Sequence, residues 1–142
     1  MIYVDTSLLL PIYIPEVNSE IANNAVQGAT ELVISDLTVA KFLVGLARKV
    51  KQGTLSLERA DEVRAAFEQH MTEGFLQRVA LVGSHSEAAG QLAFRSPMML
   101  RALDAIHLAV AVGLEAKVGT LDGRLSDAAR ALGVEVLPST SG

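Results

Sequence analysis

Short apolar runs alternate with longer stretches of helical periodicity along most of the chain. The short runs are rich in β-branched residues and predict five strands, at residues 2–4, 32–34, 79–82, 118–121 and 134–137. Strands that are separated by helical stretches are typical of a parallel sheet with helices on both of its faces. The pattern therefore predicts an α/β fold with a central parallel sheet.

Apolar residues recur at helical spacing in the longer stretches and predict four helices, at residues 37–50, 56–74, 100–114 and 125–132. Ser35 and Asp36 are candidate caps before the first of them, and Gly133 is a stop signal after the last. The helix at 100–114 is apolar almost throughout, so we expect it to be buried. The apolar residues at 8–14 fit either a buried first helix or a surface for a partner.

The length of 142 residues suits one domain, which we place at residues 1–138 with a flexible tail at 139–142. The chain has no cysteine, which excludes disulfides and thiolate metal sites and is typical of a reducing cytoplasm. Its net charge of −4 argues against a broad nucleic-acid surface but allows a local basic rim around an acidic pocket.

The longest apolar runs, around residues 37–47 and 102–114, are interrupted by charge and fall short of the roughly 20 residues of a membrane span. The chain begins with a predicted strand rather than with a basic segment and an apolar stretch. We therefore expect a soluble, cytoplasmic protein without a membrane partner.

Three aspartates stand where a fold of this class would form a site. Asp5 and Asp122 each follow a predicted strand, so both carboxylates would emerge at the carboxyl edge of a parallel sheet. Asp104 lies in an apolar helical run, where an unpaired carboxylate would cost several kcal/mol to bury. A shared cation would offset the repulsion among the three carboxylates.

Each aspartate also has an ordinary structural interpretation. Asp5 and Asp122 could be turn residues or helix N-caps, and Asp104 could cap its helix or pair with Arg101. His107 could be a metal ligand, but we favour its interpretation as a core histidine that is hydrogen-bonded to a backbone carbonyl.

Hard, oxygen-ligated cations such as Mg²⁺ or Mn²⁺ draw several carboxylates together. Such ions activate water and stabilise the leaving oxygen in phosphodiester hydrolysis. No nucleophilic triad and no Gly-rich phosphate loop is visible in the sequence. A metal-dependent phosphatase or a phospho-acceptor receiver built on an acidic strand end fits less well, because Asp5-Thr6-Ser7 lacks the second acid of such sites and Lys117 is poorly placed.

Three segments resemble motifs of the PIN-domain family, and specifically of the VapC toxins of toxin–antitoxin pairs. The segments are Ile2-Tyr3-Val4-Asp5-Thr6-Ser7, Leu103-Asp104-Ala105-Ile106-His107-Leu108-Ala109 and Thr120-Leu121-Asp122-Gly123-Arg124-Leu125. The resemblance implies a single PIN-like domain with metal-binding acids at Asp5, Asp104 and Asp122. It also implies supporting hydroxyls at Ser7 and Thr120. Asp127 is a weaker candidate and fits a solvated helical residue better.

One position departs from the resemblance. The segment Ile34-Ser35-Asp36-Leu37-Thr38-Val39-Ala40-Lys41-Phe42 is similar to a family segment that normally carries a glutamate where Lys41 stands. We interpret Lys41 as facing the pocket rather than as a surface lysine. There its ammonium would weaken metal binding and could pair with Asp5 or Asp104. The lysine would be either a substitution introduced to silence a toxic nuclease or a natural variant.

The resemblance implies an Mg²⁺- or Mn²⁺-dependent endoribonuclease that cuts transfer or ribosomal RNA, is held silent by a cognate VapB-type antitoxin and forms a homodimer. Activity would be impaired in this chain by Lys41. The alternative is a catalytically silent PIN-fold module that binds the antitoxin only. The basic residues that could contact RNA phosphates, or simply complement helix dipoles, are Arg48, Lys49, Lys51, Arg95 and Arg101.

Overall fold

The computed structural model describes residues 1–139, so the tail predicted at 139–142 lies outside the described residues except for Ser139. Five strands and seven helices follow one another in this part of the chain. They are β1 (Ile2–Val4), α1 (Thr6–Tyr13), α2 (Ser19–Val26), β2 (Leu32–Ser35), α3 (Asp36–Lys51), α4 (Leu57–Thr72), β3 (Leu76–Val79), α5 (Gly83–Arg95), α6 (Ala102–Gly113), β4 (Lys117–Gly119), α7 (Gly123–Ala131) and β5 (Val136–Leu137).

All strand pairs are parallel, and the strands lie in the order β3-β2-β1-β4-β5. The first strand lies at the centre, where Ile2 pairs with Leu32 on one side and with Lys117 on the other. This sheet confirms the predicted α/β fold. Because the strands run the same way, the residues after β1, β2 and β4 meet at one edge.

The strand predicted at 79–82 is wrong, because β3 ends at Val79. Gln77 and Arg78 are exposed on this edge strand, so it lacks the apolar signal of a central strand. After the strand, the Leu81 amide donates to the Asp36 carboxylate at 2.9 Å instead of to a neighbouring strand.

Two helices have weak local signals, and the sequence pattern did not predict them. Helix α2 buries only Ala22, and α5 begins at Gly83 and buries only Ala89 and Leu92. Helix α5 packs along α6, so tertiary contact rather than intrinsic propensity stabilises it. By contrast, α6 is buried as predicted.

Each face of the sheet carries its own apolar core. One core includes Leu92, Leu108 and Leu125 from α5, α6 and α7, and the other includes Leu8, Phe42 and Phe67 from α1, α3 and α4. The burial of Leu8 and Leu9 confirms the first-helix interpretation of residues 8–14. Within residues 1–139, no helix has the length and hydrophobicity needed to cross a bilayer.

The aromatic contact between α3 and α4 gives a direct test of this packing. The rings of Phe42 and Phe67 lie 4.1 Å apart between centroids, and both side chains are fully buried. We expect Phe67→Ala to lower the free energy of unfolding by about 3–5 kcal/mol in urea denaturation. The control Phe94→Ala removes a ring that is 96% exposed, and we expect a change within about 0.5 kcal/mol. Equal losses in the two variants would contradict the packing described.

Candidate functional site

Asp5 is positioned by the end of the central strand. Its side chain is only 5% exposed, and its carboxylate accepts hydrogen bonds from Ser7 Oγ at 2.7 Å and Thr120 Oγ1 at 2.8 Å. It also accepts from the Leu8 amide at 3.3 Å and is therefore the N-cap of α1. The capping interpretation of Asp5 thus holds, and the same carboxylate lies at the carboxyl edge of the sheet.

A chain of hydrogen bonds joins the loops after β1 and β4. Ser7 Oγ lies 3.1 Å from Thr120 Oγ1 and accepts from the Leu121 amide at 2.8 Å. Thr120 Oγ1 accepts from the Asp122 amide at 3.0 Å. The two hydroxyls singled out in the sequence therefore hold Asp5 and fix the segment that leads to Asp122.

Asp122 lies beyond β4 as the N-cap of α7, where its exposed carboxylate accepts from the Arg124 amide at 2.9 Å. Its capping interpretation therefore holds as well. Asp127, further along α7, is exposed, in keeping with its interpretation as a solvated residue.

Asp104 lies in the first turn of α6 and is 9% exposed. Within residues 1–139 its carboxylate makes neither a hydrogen bond nor an ion pair, so the proposed pairing with Arg101 is not formed. Burial and then the charge of Asp122 raise the pKa of Asp104, while Lys41, Arg101 and Arg124 act in the opposite direction. Arg124 is a cation near Asp104 that has no distinctive signal in the sequence.

The three predicted aspartates are electrostatically coupled. Burial raises the pKa of Asp5, its hydrogen bonds oppose that rise, and the charge of Asp122 adds to it. Asp122 thus disfavours ionisation of both Asp5 and Asp104, so its carboxylate interacts electrostatically with the other two, and we call the region between the three aspartates the cleft. In the described part of the chain, however, no three His, Asp or Glu side chains already stand as a group that could hold a metal.

Lys41 lies on α3 with its side chain exposed to solvent. The ion pair that its ammonium could have made with Asp5 or Asp104 is not formed within residues 1–139. Its charge still reaches the cleft, where it lowers the pKa of both Asp104 and His107. Lys41 therefore lies at the border of the cleft rather than among the carboxylates.

Asp36, the acid nearest in sequence to Lys41, does not replace the expected glutamate. Its carboxylate accepts from Arg78 Nε at 2.7 Å and from the Leu81 amide at 2.9 Å. These bonds lower its pKa and tie α3 to the end of β3. The carboxylate is therefore committed away from the cleft.

A buried polar network lies beneath the cleft. His107 is 1% exposed, and its Nδ1 is hydrogen-bonded to the hydroxyl of Tyr3, which lies 2.8 Å from Ser35 Oγ and 3.4 Å from Thr38 Oγ1. Thr38 Oγ1 in turn donates to the Val4 carbonyl at 3.2 Å. His107 is thus the core histidine that was predicted, but its partner is a phenol rather than a backbone carbonyl.

The other ring nitrogen, His107 Nε2, is buried and has no partner among residues 1–139. Burial and then the charge of Lys41 lower the pKa of His107 from 6.5 to about 4. Burial raises the pKa of Tyr3 to about 12. Both groups are therefore neutral at physiological pH and bridge β1, β2 and α6 without adding charge to the cleft.

Comparison with known proteins agrees with this architecture. The model of the PIN domain matches residues 2–131, and none of the curated proteins matches the chain. Similar solved structures include VapC20 of Mycobacterium tuberculosis, described as a toxin that cleaves the sarcin–ricin loop. It is 17% identical, covers 90% of this chain and 95% of its own, and has a TM-score of 0.69.

Two complexes are also similar in structure. VapBC2 from Rickettsia felis, bound to a DNA fragment from its promoter, is 12% identical, with coverage of 96% and 97% and a TM-score of 0.67. A toxin–antitoxin complex from Klebsiella pneumoniae is 19% identical, with coverage of 86% and 87% and a TM-score of 0.63. At such identities the likeness establishes the fold alone.

The lowered pKa of His107 predicts a pH-dependent stability. The unfolded chain takes up a proton on this ring below pH 6.5, whereas the native protein does so only near pH 4. The neutral ring therefore contributes its full stabilisation of the native state above pH 6.5, and this stabilisation is lost as the pH falls toward 4. We expect that loss to be about 3 kcal/mol in the wild type and absent in His107→Leu. Urea denaturation between pH 7.5 and 4 measures both, and parallel pH profiles would contradict the neutral, buried imidazole.

Proposed function

Because the chain belongs to the PIN domain family, we propose that it is a toxin-type, metal-dependent endoribonuclease whose activity is impaired by Lys41. PIN-domain nucleases typically use divalent metal ions. The observation that supports the proposal is the burial of Asp5 and Asp104, each within electrostatic reach of Asp122, near the carboxyl edge of the sheet.

The donor set fits a hard divalent cation. All three donors are carboxylates, and burial disfavours the ionised forms of Asp5 and Asp104, so a bound cation would stabilise the very forms that burial opposes. Asp5, Asp104 and Asp122 would hold the ion. When bound, Mg²⁺ or Mn²⁺ would activate water and neutralise charge on the leaving 3′ oxygen of an RNA phosphodiester.

The side chains around the cleft have separate tasks in this proposal. Ser7 and Thr120 fix the orientation of the Asp5 carboxylate, since both hydroxyls donate to it. The Asp104 carboxylate has no protein hydrogen bond in the described chain and is available to a ligand. Arg101 and Arg124 act electrostatically on Asp104 and could bind the phosphates that flank the scissile bond.

RNA is the proposed substrate, by similarity to the toxin that is described as cleaving the sarcin–ricin loop. The proposed partner is a VapB-type antitoxin, by similarity to the toxin–antitoxin complexes. The proposed assembly, a homodimer in the cytoplasm, rests on the family resemblance of the sequence alone. The PIN domain would span residues 1–138, followed by a tail at 139–142.

Lys41 is the reason for proposing impaired activity. An ammonium at this position replaces a carboxylate of the family pattern and adds a positive charge that reaches Asp104. It would repel a divalent ion in the cleft and compete with it for the carboxylates electrostatically. The same observation favours the second candidate function, a PIN-fold module that binds its antitoxin but does not cut RNA.

Cleavage of a total-RNA pool distinguishes the two functions. We expect Lys41→Glu to cut RNA in Mg²⁺ or Mn²⁺ at least about tenfold faster than the wild type, because the change replaces a charge that repels the cation with one that attracts it. Chelator should abolish the cleavage, and Lys41→Glu combined with Asp104→Asn is the inactive control. If neither the wild type nor Lys41→Glu cuts RNA, the result favours the binding-module function. Equal rates in the two would place Lys41 outside the site.

A further inference from the structure

Helix α3 presents an exposed face on which small apolar residues alternate with cations. The residues of this α3 face are Ala40, Lys41, Val44, Ala47, Arg48 and Lys51. With 3.6 residues per turn they fall within an arc of about 120°. Val44 is 56% exposed, although it lies in the middle of a long, well-packed helix. The apolar part of this face is therefore not covered by the rest of the domain.

Apolar grooves flank the α3 face on both sides. Between α1 and α3 lies a cavity of about 330 Å³, in which Leu10 and Gly45 form the apolar wall and Lys41 and Arg48 the charged border. Between α3 and α4 lies a second cavity of about 280 Å³, lined mainly by the apolar residues Leu43, Leu46, Ala47, Val50, Leu57 and Ala60, with Lys51, Asp61 and Arg64 at its border. The helix is thus a ridge between two grooves that could accept apolar side chains.

The charges of the face are spaced regularly and are available. Lys41 and Arg48 stand seven residues apart, which is two helical turns or about 10 Å along the axis. In residues 1–139 none of Lys41, Arg48 and Lys51 takes part in an ion pair. Because the chain as a whole carries a charge of −4, this face is a local reversal of its overall sign.

We propose that the α3 face docks an acidic amphipathic helix of a partner protein. Carboxylates at positions i and i+7 of that helix would pair with Lys41 and Arg48, and apolar side chains between them would enter the grooves beside Val44. This inference gives the partner under Proposed function its recognition chemistry and rests on that proposal.

RNA fits the α3 face less well than an acidic helix. Phosphates would pair with the cations, but the apolar grooves would gain nothing from a polyanion. Protein surfaces that bind single strands combine cations with aromatic side chains on which bases stack. The six residues of the α3 face include no aromatic side chain.

A displayed library of 16-residue amphipathic helical peptides, selected on the full chain without metal or RNA, tests the docking. We expect the selected peptides to be enriched in Asp or Glu pairs seven residues apart. In fluorescence anisotropy, Arg48→Glu and Val44→Asp should each weaken the selected peptides at least about tenfold. The matched control is Arg95→Glu, an equal charge change on the exposed end of α5, which should change affinity less than about twofold.

Circular dichroism and thermal melting of each variant separate lost docking from lost folding, and Arg48→Gln provides a milder substitution. Selection of basic peptides, of no peptide, or of peptides insensitive to Arg48→Glu would overturn the docking. If no acidic peptides are selected and Arg48→Glu loses affinity for a single-stranded RNA oligonucleotide, the α3 face is assigned to RNA instead. Since no cleavage is measured, failure here leaves the nuclease proposal standing, and an inactive nuclease leaves this result intact.

Discussion

Burial of negative charge at the carboxyl edge of the sheet is the constraint on which the candidate site depends. The Asp5 carboxylate is buried because β1 is the central strand and α1 starts directly after it. Hydrogen bonds from Ser7, Leu8 and Thr120 stabilise the ionised form of this carboxylate, and they link the loops after β1 and β4. Asp104 has no comparable set of donors in the described chain, so its ionised form would have to be stabilised by a ligand that enters the cleft.

The floor of the cleft is stiffened by neutral groups rather than by charged ones. Tyr3 and His107 join the central strand to α6, and the hydroxyls of Ser35 and Thr38 extend the connection to β2 and α3. A charged histidine here would change the field at the three aspartates, and burial keeps the ring uncharged at physiological pH. The fold thus separates two tasks, since neutral hydrogen bonds set the geometry and carboxylates carry the charge.

The parallel sheet was predicted correctly, and the three aspartates stand out as candidates, because both have local signals in the sequence. A β-branched run followed by an acid, and an acid within an apolar helix, are readable from neighbouring residues alone. Helix α5 and strand β3 were not predicted correctly, because contact with α6 and an edge position determine them. The Tyr3–His107 pair joins residues that are far apart in sequence, and the outward direction of Lys41 depends on how α3 packs. Neither feature has a local signal.

We propose that Asp5, Asp104 and Asp122 form one cation site that Lys41 weakens, and Mn²⁺ binding followed by electron paramagnetic resonance tests this site without RNA. We expect weak Mn²⁺ binding by the wild type, at least about tenfold tighter binding by Lys41→Glu, and none by Lys41→Glu with Asp104→Asn. The matched control, Lys41→Glu with Asp127→Asn, removes an exposed carboxylate of α7 and should bind like Lys41→Glu alone. Equal Mn²⁺ affinity in all four forms would contradict the claim.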